Sequence, residues 1–155
     1  MHDLYCGVGG FALHLAAPGR SVTGIEISAD AVAAAERGRD DAGLAPDQVR
    51  FVVGDATSYL LEEGALRDAS SPGSSGTTDL VVVNPPRRGL GPELAARLAE
   101  TGPGAILYSS CNPGTLARDL EVLSSYQPLR AQVLDMFPQT AHLEVLVLLE
   151  RQRSE

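Results

Sequence analysis

The sequence predicts an open, mostly parallel α/β sheet with helices on both faces. Three observations predict it. Short apolar runs alternate with longer amphipathic stretches along the whole chain. One run, residues 80–83 (LVVV), is apolar without interruption, as a strand covered on both faces should be. Glycine, proline and polar turn residues punctuate the ends of these runs, which is where open α/β sheets bind ligands.

Taken in order, Asp3-Leu4-Tyr5 is the stub of a first strand, ended by the glycine-rich residues 6–10 (CGVGG). Residues 11–17 read as a helix closed by Pro18-Gly19. Residues 21–27 form a second strand, and Ser28 is a natural N-cap for a helix over 29–42. A third strand over 49–53 ends in Gly54-Asp55, and residues 57–66 read as helix. Residues 70–78 (SSPGSSGTT) have the composition of a flexible surface loop. The strand at 80–83 stops at Asn84-Pro85-Pro86. Helices at 92–100 and 113–123 flank a fifth strand at 105–109. The strands at 129–136 and 142–149 have no helix between them, so they are expected to pair antiparallel. There is no internal repeat. The first strand wants apolar residues before Asp3, so the chain reads as a fragment or as one domain, residues 1–155, of a longer protein.

With 155 residues and 44% apolar content, one ordinary domain with its own core is expected and overall disorder is excluded. No apolar run reaches the ~18 residues of a membrane span. No basic segment precedes an apolar stretch at the N-terminus, so a cytoplasmic protein with free thiols is expected. The formal charge of −8 argues against a broad phosphate-binding surface on this chain alone, although a local arginine cluster or another domain can supply one. Cys6 and Cys111 belong to no CxxC pair, so no metal site is expected.

Each strand end carries a candidate group. Gly7, Gly9 and Gly10 let the backbone approach a ligand, but G-x-G-G falls short of the dinucleotide fingerprint G-x-G-x-x-G, and a simple tight turn explains it as well. Glu26, 19 residues after Gly7, is placed either to accept hydrogen bonds from ribose hydroxyls or to sit in solvent. Asp55 suits an adenine amino group or, more simply, an N-cap. Asn84 follows a buried strand and can donate and accept at a ligand edge. Arg87 and Arg88 are either phosphate contacts or solvated residues of a rigid turn. Cys111, at a strand end just before a helix, is a nucleophile or a small buried residue. Cys6 reads as packing. Glu144 opens an apolar strand, a costly place for a carboxylate unless it faces a polar site, and is a candidate general base. His142 shares its face if that strand starts by His142, as a second base or a structural residue.

The combination DLYCGVGGF (3–11), GIEIS (24–28), NPPRRGLG (84–91), YSSCNP (108–113) and DMFPQTAHLE (135–144) resembles the S-adenosylmethionine-dependent RNA uracil-5-methyltransferases, in the family's order and across nearly the whole chain. The resemblance implies a Rossmann-like class I methyltransferase sheet with a C-terminal antiparallel hairpin. It implies Cys111 as the nucleophile and Glu144 as the base. Tyr5, Glu26 and Asn84 match cofactor contacts, with Asp55 a looser match, and the turn over residues 7–10 matches the site of the methionine moiety. Arg87, Arg88 and His142 are the candidate substrate contacts. NPPRRG together with YSSCN is most similar to the branch acting on 23S ribosomal RNA; the tRNA branch usually has Asp where Asn84 stands. A monomer is expected. The family's N-terminal segments, often an RNA-binding β-barrel and sometimes an iron–sulfur cluster, have no counterpart in these residues, nor has an upstream cofactor-contacting Gln. Weak RNA binding is therefore expected of this chain by itself, with inactivity in isolation an open alternative.

Rival readings remain on the residues alone. An amino-methyltransferase shares Asn-Pro-Pro but normally has an aromatic where Arg87 stands, and has no need of Cys111. A non-catalytic cofactor-binding fragment and a tRNA enzyme are further alternatives. A dehydrogenase fits worst, because its glycine pattern is incomplete.

Overall fold

The computed structural model describes residues 1–62, 66, 79–136, 138–140 and 142–152. The loop expected at 70–78, and Phe137 and Ala141 of the last connection, lie outside the described residues. Along the chain the elements are β1 (His2–Leu4), α1 (Gly10–Leu15), β2 (Val22–Glu26), α2 (Ala29–Asp41), β3 (Val49–Val53), α3 (Ala56–Leu61), β4 (Leu80–Val83), α4 (Pro92–Thr101), β5 (Ala105–Ser110), α5 (Pro113–Val122), β6 (Tyr126–Leu134) and β7 (Glu144–Arg151). The strands form one seven-stranded sheet in the order β3-β2-β1-β4-β5-β7-β6. The β1 to β5 pairings are parallel; β7 runs antiparallel to both β5 and β6. Strand order reverses between β1 and β4, which opens a crevice at their carboxyl ends.

Strand alternation divides the core in two. Leu4, Ile25, Val81, Val83, Ile106, Tyr108, Val147 and Leu149 face α3, α4 and α5, while Val22, Val49 and Phe51 face α1 and α2. Helix starts follow their side chains. Ser28, Asp55 and Asn112 each accept a backbone N–H of the first turn, and Pro92 and Pro113 occupy positions where no N–H is needed. The turn before α1 needs glycine for a second reason besides conformation. Gly9 has φ 88°, and a Cβ there would lie 2.9 Å from the Phe51 ring.

Boundaries move where tertiary contacts outweigh local signals. The first strand ends at Leu4, because Tyr5 turns the chain with φ 66°. α3 stops at Leu61, since Glu62 is already extended. The sixth strand begins at Tyr126 rather than residue 129 and ends at Leu134. It runs through Pro128, which is tolerated because β6 is an edge strand, and the ladder slips between Pro128 and Arg130. The last strand begins at Glu144, not at His142, so the expected shared face of His142 and Glu144 on that strand does not exist. His142 is exposed in the connection, its backbone N–H donating to Thr140 Oγ1 at 3.1 Å.

Candidate functional site

The crevice at the β1/β4 switch holds two adjoining cavities that share Tyr5 and Asn84. One, of about 320 Å³, is bounded by Glu26, Ile27, Asp55, Asn84, Pro86 and Arg88. The other, of about 580 Å³, lies over the glycine turn between Val8, Phe11, His14 and Asn84. Ile27 is 71% exposed and Val8 62%, so each cavity presents a large apolar side chain in need of cover. Neither residue was singled out in the sequence, where Val8 reads as part of the glycine turn and Ile27 as the end of the second strand.

Glu26 organises the floor. Its Oε2 accepts the Gly7 N–H at 3.1 Å and its Oε1 accepts the Ser28 N–H at 2.9 Å. The carboxylate therefore ties the glycine turn to the end of β2 while keeping lone pairs for a ligand. Asp55 is an N-cap first: its Oδ1 accepts the Ser58 N–H at 2.9 Å and the Ser58 hydroxyl at 3.2 Å. It still lines the smaller cavity, so both readings of this residue hold in part. Arg88 lies at that same cavity, and Arg87 is exposed and lines neither cavity. Cys6 packs inside, and burial first, then the nearby Asp3 and Glu26 carboxylates, push its thiol up to about 12, which makes it inert.

Asp3 lies beneath the glycine turn with no exposed surface. Its Oδ2 accepts the Ala12 N–H at 2.9 Å, and its Oδ1 has no hydrogen-bond partner among the described residues. Burial raises its carboxyl from 3.8 to about 7, against the lowering effect of the Ala12 hydrogen bond. A folded-state value above the unfolded one means that the protonated form favours folding. That stability is fully present below about pH 4 and is lost as pH rises through about 7. The predicted result is that wild type loses roughly 4 kcal/mol over that window relative to Asp3→Asn, read from urea midpoints across pH. Parallel midpoint curves for the two proteins would refute it.

The second half of the site sits where β5 meets β7. Ser109 pairs with Leu146 and Ser110 with Val145. The ladder ends there: Cys111 is the first residue after β5, and Glu144 is the first residue of β7. Opposite residues of an antiparallel pair share a face, and so do residues two apart on one strand. Ser109 and Glu144 therefore share one face, opposite the Tyr108 core, and Cys111 follows directly at the end of β5. The thiol is half-buried. Ser109 Oγ donates to Glu144 Oε1. The walls of the two cavities do not include Cys111 or Glu144; these lie beyond Asn84, one and two strands over, at the same end of the sheet.

A hydrogen-bonded staple, buried at Asp119, links the two halves. The Arg87 carbonyl accepts from Asn112 Nδ2 and from Thr115 Oγ1, each at 3.2 Å. Asp119 Oδ2 accepts the Leu90 N–H at 2.7 Å and the Tyr108 hydroxyl at 2.6 Å. Burial, and then Asp119, raise the Tyr108 hydroxyl far above its ordinary value, so it stays a donor. Gly89 crosses directly over this carboxylate at φ 84°, and a Cβ there would lie 2.5 Å from Asp119 Oδ2. Sequence reasoning missed Asp119, which looks like one more solvated acid on an amphipathic helix.

The model of the family described as tRNA (Uracil-5-)-methyltransferase matches residues 1–152. Among curated proteins, the chain is 49% identical to the 23S rRNA (uracil(747)-C(5))-methyltransferase RlmC of Shewanella loihica, over 96% of this chain and 36% of that protein. It is 50% identical to RlmC of Vibrio cholerae, over 97% and 37% respectively. The chain thus spans little more than a third of the length of these relatives. Among solved structures, the Pyrococcus abyssi tRNA (uracil-54, C5)-methyltransferase in complex with S-adenosyl-L-homocysteine superposes with a TM-score of 0.77 at 35% identity, over 96% of this chain and 33% of that one. TrmN from Thermus thermophilus, at 21% identity and TM-score 0.68 over 97% of this chain and 43% of its own, shares the fold. Among the described residues no helix is long and apolar enough to cross a membrane.

Proposed function

The chain belongs to the tRNA (uracil-5-)-methyltransferase family, and on that premise we propose that it is the catalytic domain of an S-adenosylmethionine-dependent enzyme that methylates C5 of a uridine in 23S ribosomal RNA. One observation supports the reading: the β5–β7 ladder ends at Ser110 and Val145, the neighbours of the half-buried Cys111 and of Glu144, at the same sheet end as the glycine-lined crevice. Ribosomal RNA is favoured over tRNA because identity to the RlmC relatives, 46–50%, exceeds the 35% to the tRNA enzyme. Both reacting groups come from one chain, which fits action as a monomer, and a ribosomal substrate fits the cytoplasm.

The crevice suits the cofactor. Glu26 offers carboxylate lone pairs beside the glycine turn, as ribose hydroxyls require, and Ile27 offers an uncovered apolar surface for a flat base. Tyr5 and Asn84 line both cavities, so a ligand filling the two would meet both residues. S-adenosylmethionine, when bound, supplies an electrophilic methyl group on a sulfonium.

The protein's own residues then address the inertness of C5. The Cys111 thiolate adds to C6 of the uracil ring, and the electron pair of the C5–C6 bond becomes available at C5, which takes up the methyl group. Glu144 accepts the C5 proton, the ring double bond re-forms, and the Cys111–C6 bond breaks to return the thiolate. The target uridine must lie in a loop or be flipped from its stack to reach Cys111. Arg87, Arg88 and His142, all exposed around the site, are the phosphate and base contacts in this reading.

The test is an RNA carrying 5-fluorouridine, incubated with cofactor and the full-length protein that carries this domain, at low ionic strength, where phosphate contacts are strongest. Fluorine cannot leave as a proton, so the expected result is a protein–RNA complex that survives denaturing electrophoresis and is absent for Cys111→Ala. Methylation found on an exocyclic nitrogen would instead make the protein an amino-methyltransferase.

A further inference from the structure

We infer that Ser109 is a positioning residue for the proton-transfer step, its hydroxyl holding the Glu144 carboxylate across the β5–β7 pair, toward the strand that Cys111 follows; this rests on the functional reading above. Ser109 is 2% exposed, so its hydroxyl is out of reach of bulk water. It spends its proton on Glu144 Oε1. A carboxylate only accepts, so the direction of this bond is fixed.

The arrangement matters because Glu144 opens its strand. Its side chain is half-exposed, and the connection before it leads away to the exposed His142. A glutamate at such a place has several rotamers open to it. The bond from β5 selects the one lying diagonally across the ladder, toward the strand that Cys111 follows. With Oε1 accepting from Ser109, Oε2 is the more basic oxygen and the one to take the C5 proton. A hydrogen bond to a charged group is among the stronger kinds, enough to bias a rotamer decisively. Ser109 touches neither substrate nor cofactor in this scheme. It acts only through Glu144.

The test compares Ser109→Ala, Ser109→Val and Ser109→Thr. Val and Thr have the same shape and differ by the hydroxyl, so any packing effect of the added methyl is common to both. Removing the hydroxyl leaves addition of Cys111 to C6 intact but slows removal of the C5 proton. The expected result for Ala and Val is a turnover lower by roughly 10- to 100-fold, the cost of a misplaced catalytic group. KM for cofactor and RNA stay as in wild type, and a covalent protein–RNA complex accumulates on ordinary uridine RNA. Thr restores turnover and clears that complex. Ala and Val variants that turn over like wild type would overturn the inference, as would a loss of turnover with no accumulated complex. Failure of the wild-type protein to trap on 5-fluorouridine RNA is a separate outcome, and it overturns the functional reading together with everything built on it.

Discussion

Cys111→Ala is expected to abolish methyl transfer and Glu144→Gln to stall it halfway, and what remains attached to RNA tells the two apart. Without the thiol there is no addition to C6, and C5 keeps the low nucleophilicity of an ordinary uracil. Loss of a covalent nucleophile costs about 10⁴-fold or more in turnover, so no label from radioactive cofactor should reach RNA above background. Without the carboxylate the first steps proceed and the last does not. Glu144→Gln keeps the shape and can still take a hydrogen bond from Ser109 through its amide oxygen, but an amide is no base at neutral pH. A general base contributes about 10²- to 10⁴-fold, and here its loss traps the protein on its own substrate. The expected gel shows a labelled covalent complex for Glu144→Gln on plain uridine RNA, and none for Cys111→Ala or for the double variant. Should Cys111→Ala methylate C5 at a rate near wild type, the sulfur has no covalent part in the reaction.

The β–α alternation, the strand-end motifs and the closing antiparallel pair were readable because each has a local cause. A buried strand needs an apolar run, a switch-point ligand needs glycine and a carboxylate, and two strands without a helix between them must pair antiparallel. The insertion of β7 between β5 and β6 was not readable, since no residue of β7 states which of two neighbours it takes. That insertion is what brings the start of β7, with Glu144, beside the end of β5. The same limit hid Ser109, a small polar residue that strand alternation allows on either face until the partner strand is known. It also misplaced His142, because periodicity extends a strand back to any plausible residue, whereas the ladder begins only where Glu144 meets Leu134. Asp55 shows the opposite case. Its cap is dictated within four residues and was legible, while its place at the cavity depends on packing.

Asp119→Ala is expected to cost about 2 to 5 kcal/mol of stability and, with it, the shape of the loop that carries Asn84. The carboxylate sits where three elements meet, accepting from the Leu90 N–H and the Tyr108 hydroxyl under Gly89. Truncation strands two buried donors, and each unsatisfied group costs about 1–3 kcal/mol. Tyr108→Phe removes one donor together with its need, so it should cost only about 1 kcal/mol. In the Asp119→Ala background the same change should be neutral or stabilising, because it deletes an orphan. Urea unfolding of the four proteins measures this as a coupling energy. The functional consequence follows from the path of the loop. Pro86 and Arg88 bound the smaller cavity, while Arg87 is held from the α5 side through Asn112 and Thr115. Releasing Leu90 lets the stretch between Asn84 and Leu90 shift, so cofactor affinity by calorimetry should weaken several-fold in Asp119→Ala and stay near wild type in Tyr108→Phe. If Asp119→Ala unfolds at the wild-type midpoint, the paired prolines and Gly89 suffice to hold the turn, and the carboxylate is a passenger in the core. If it is destabilised but binds cofactor normally, the staple supports the fold without shaping the crevice.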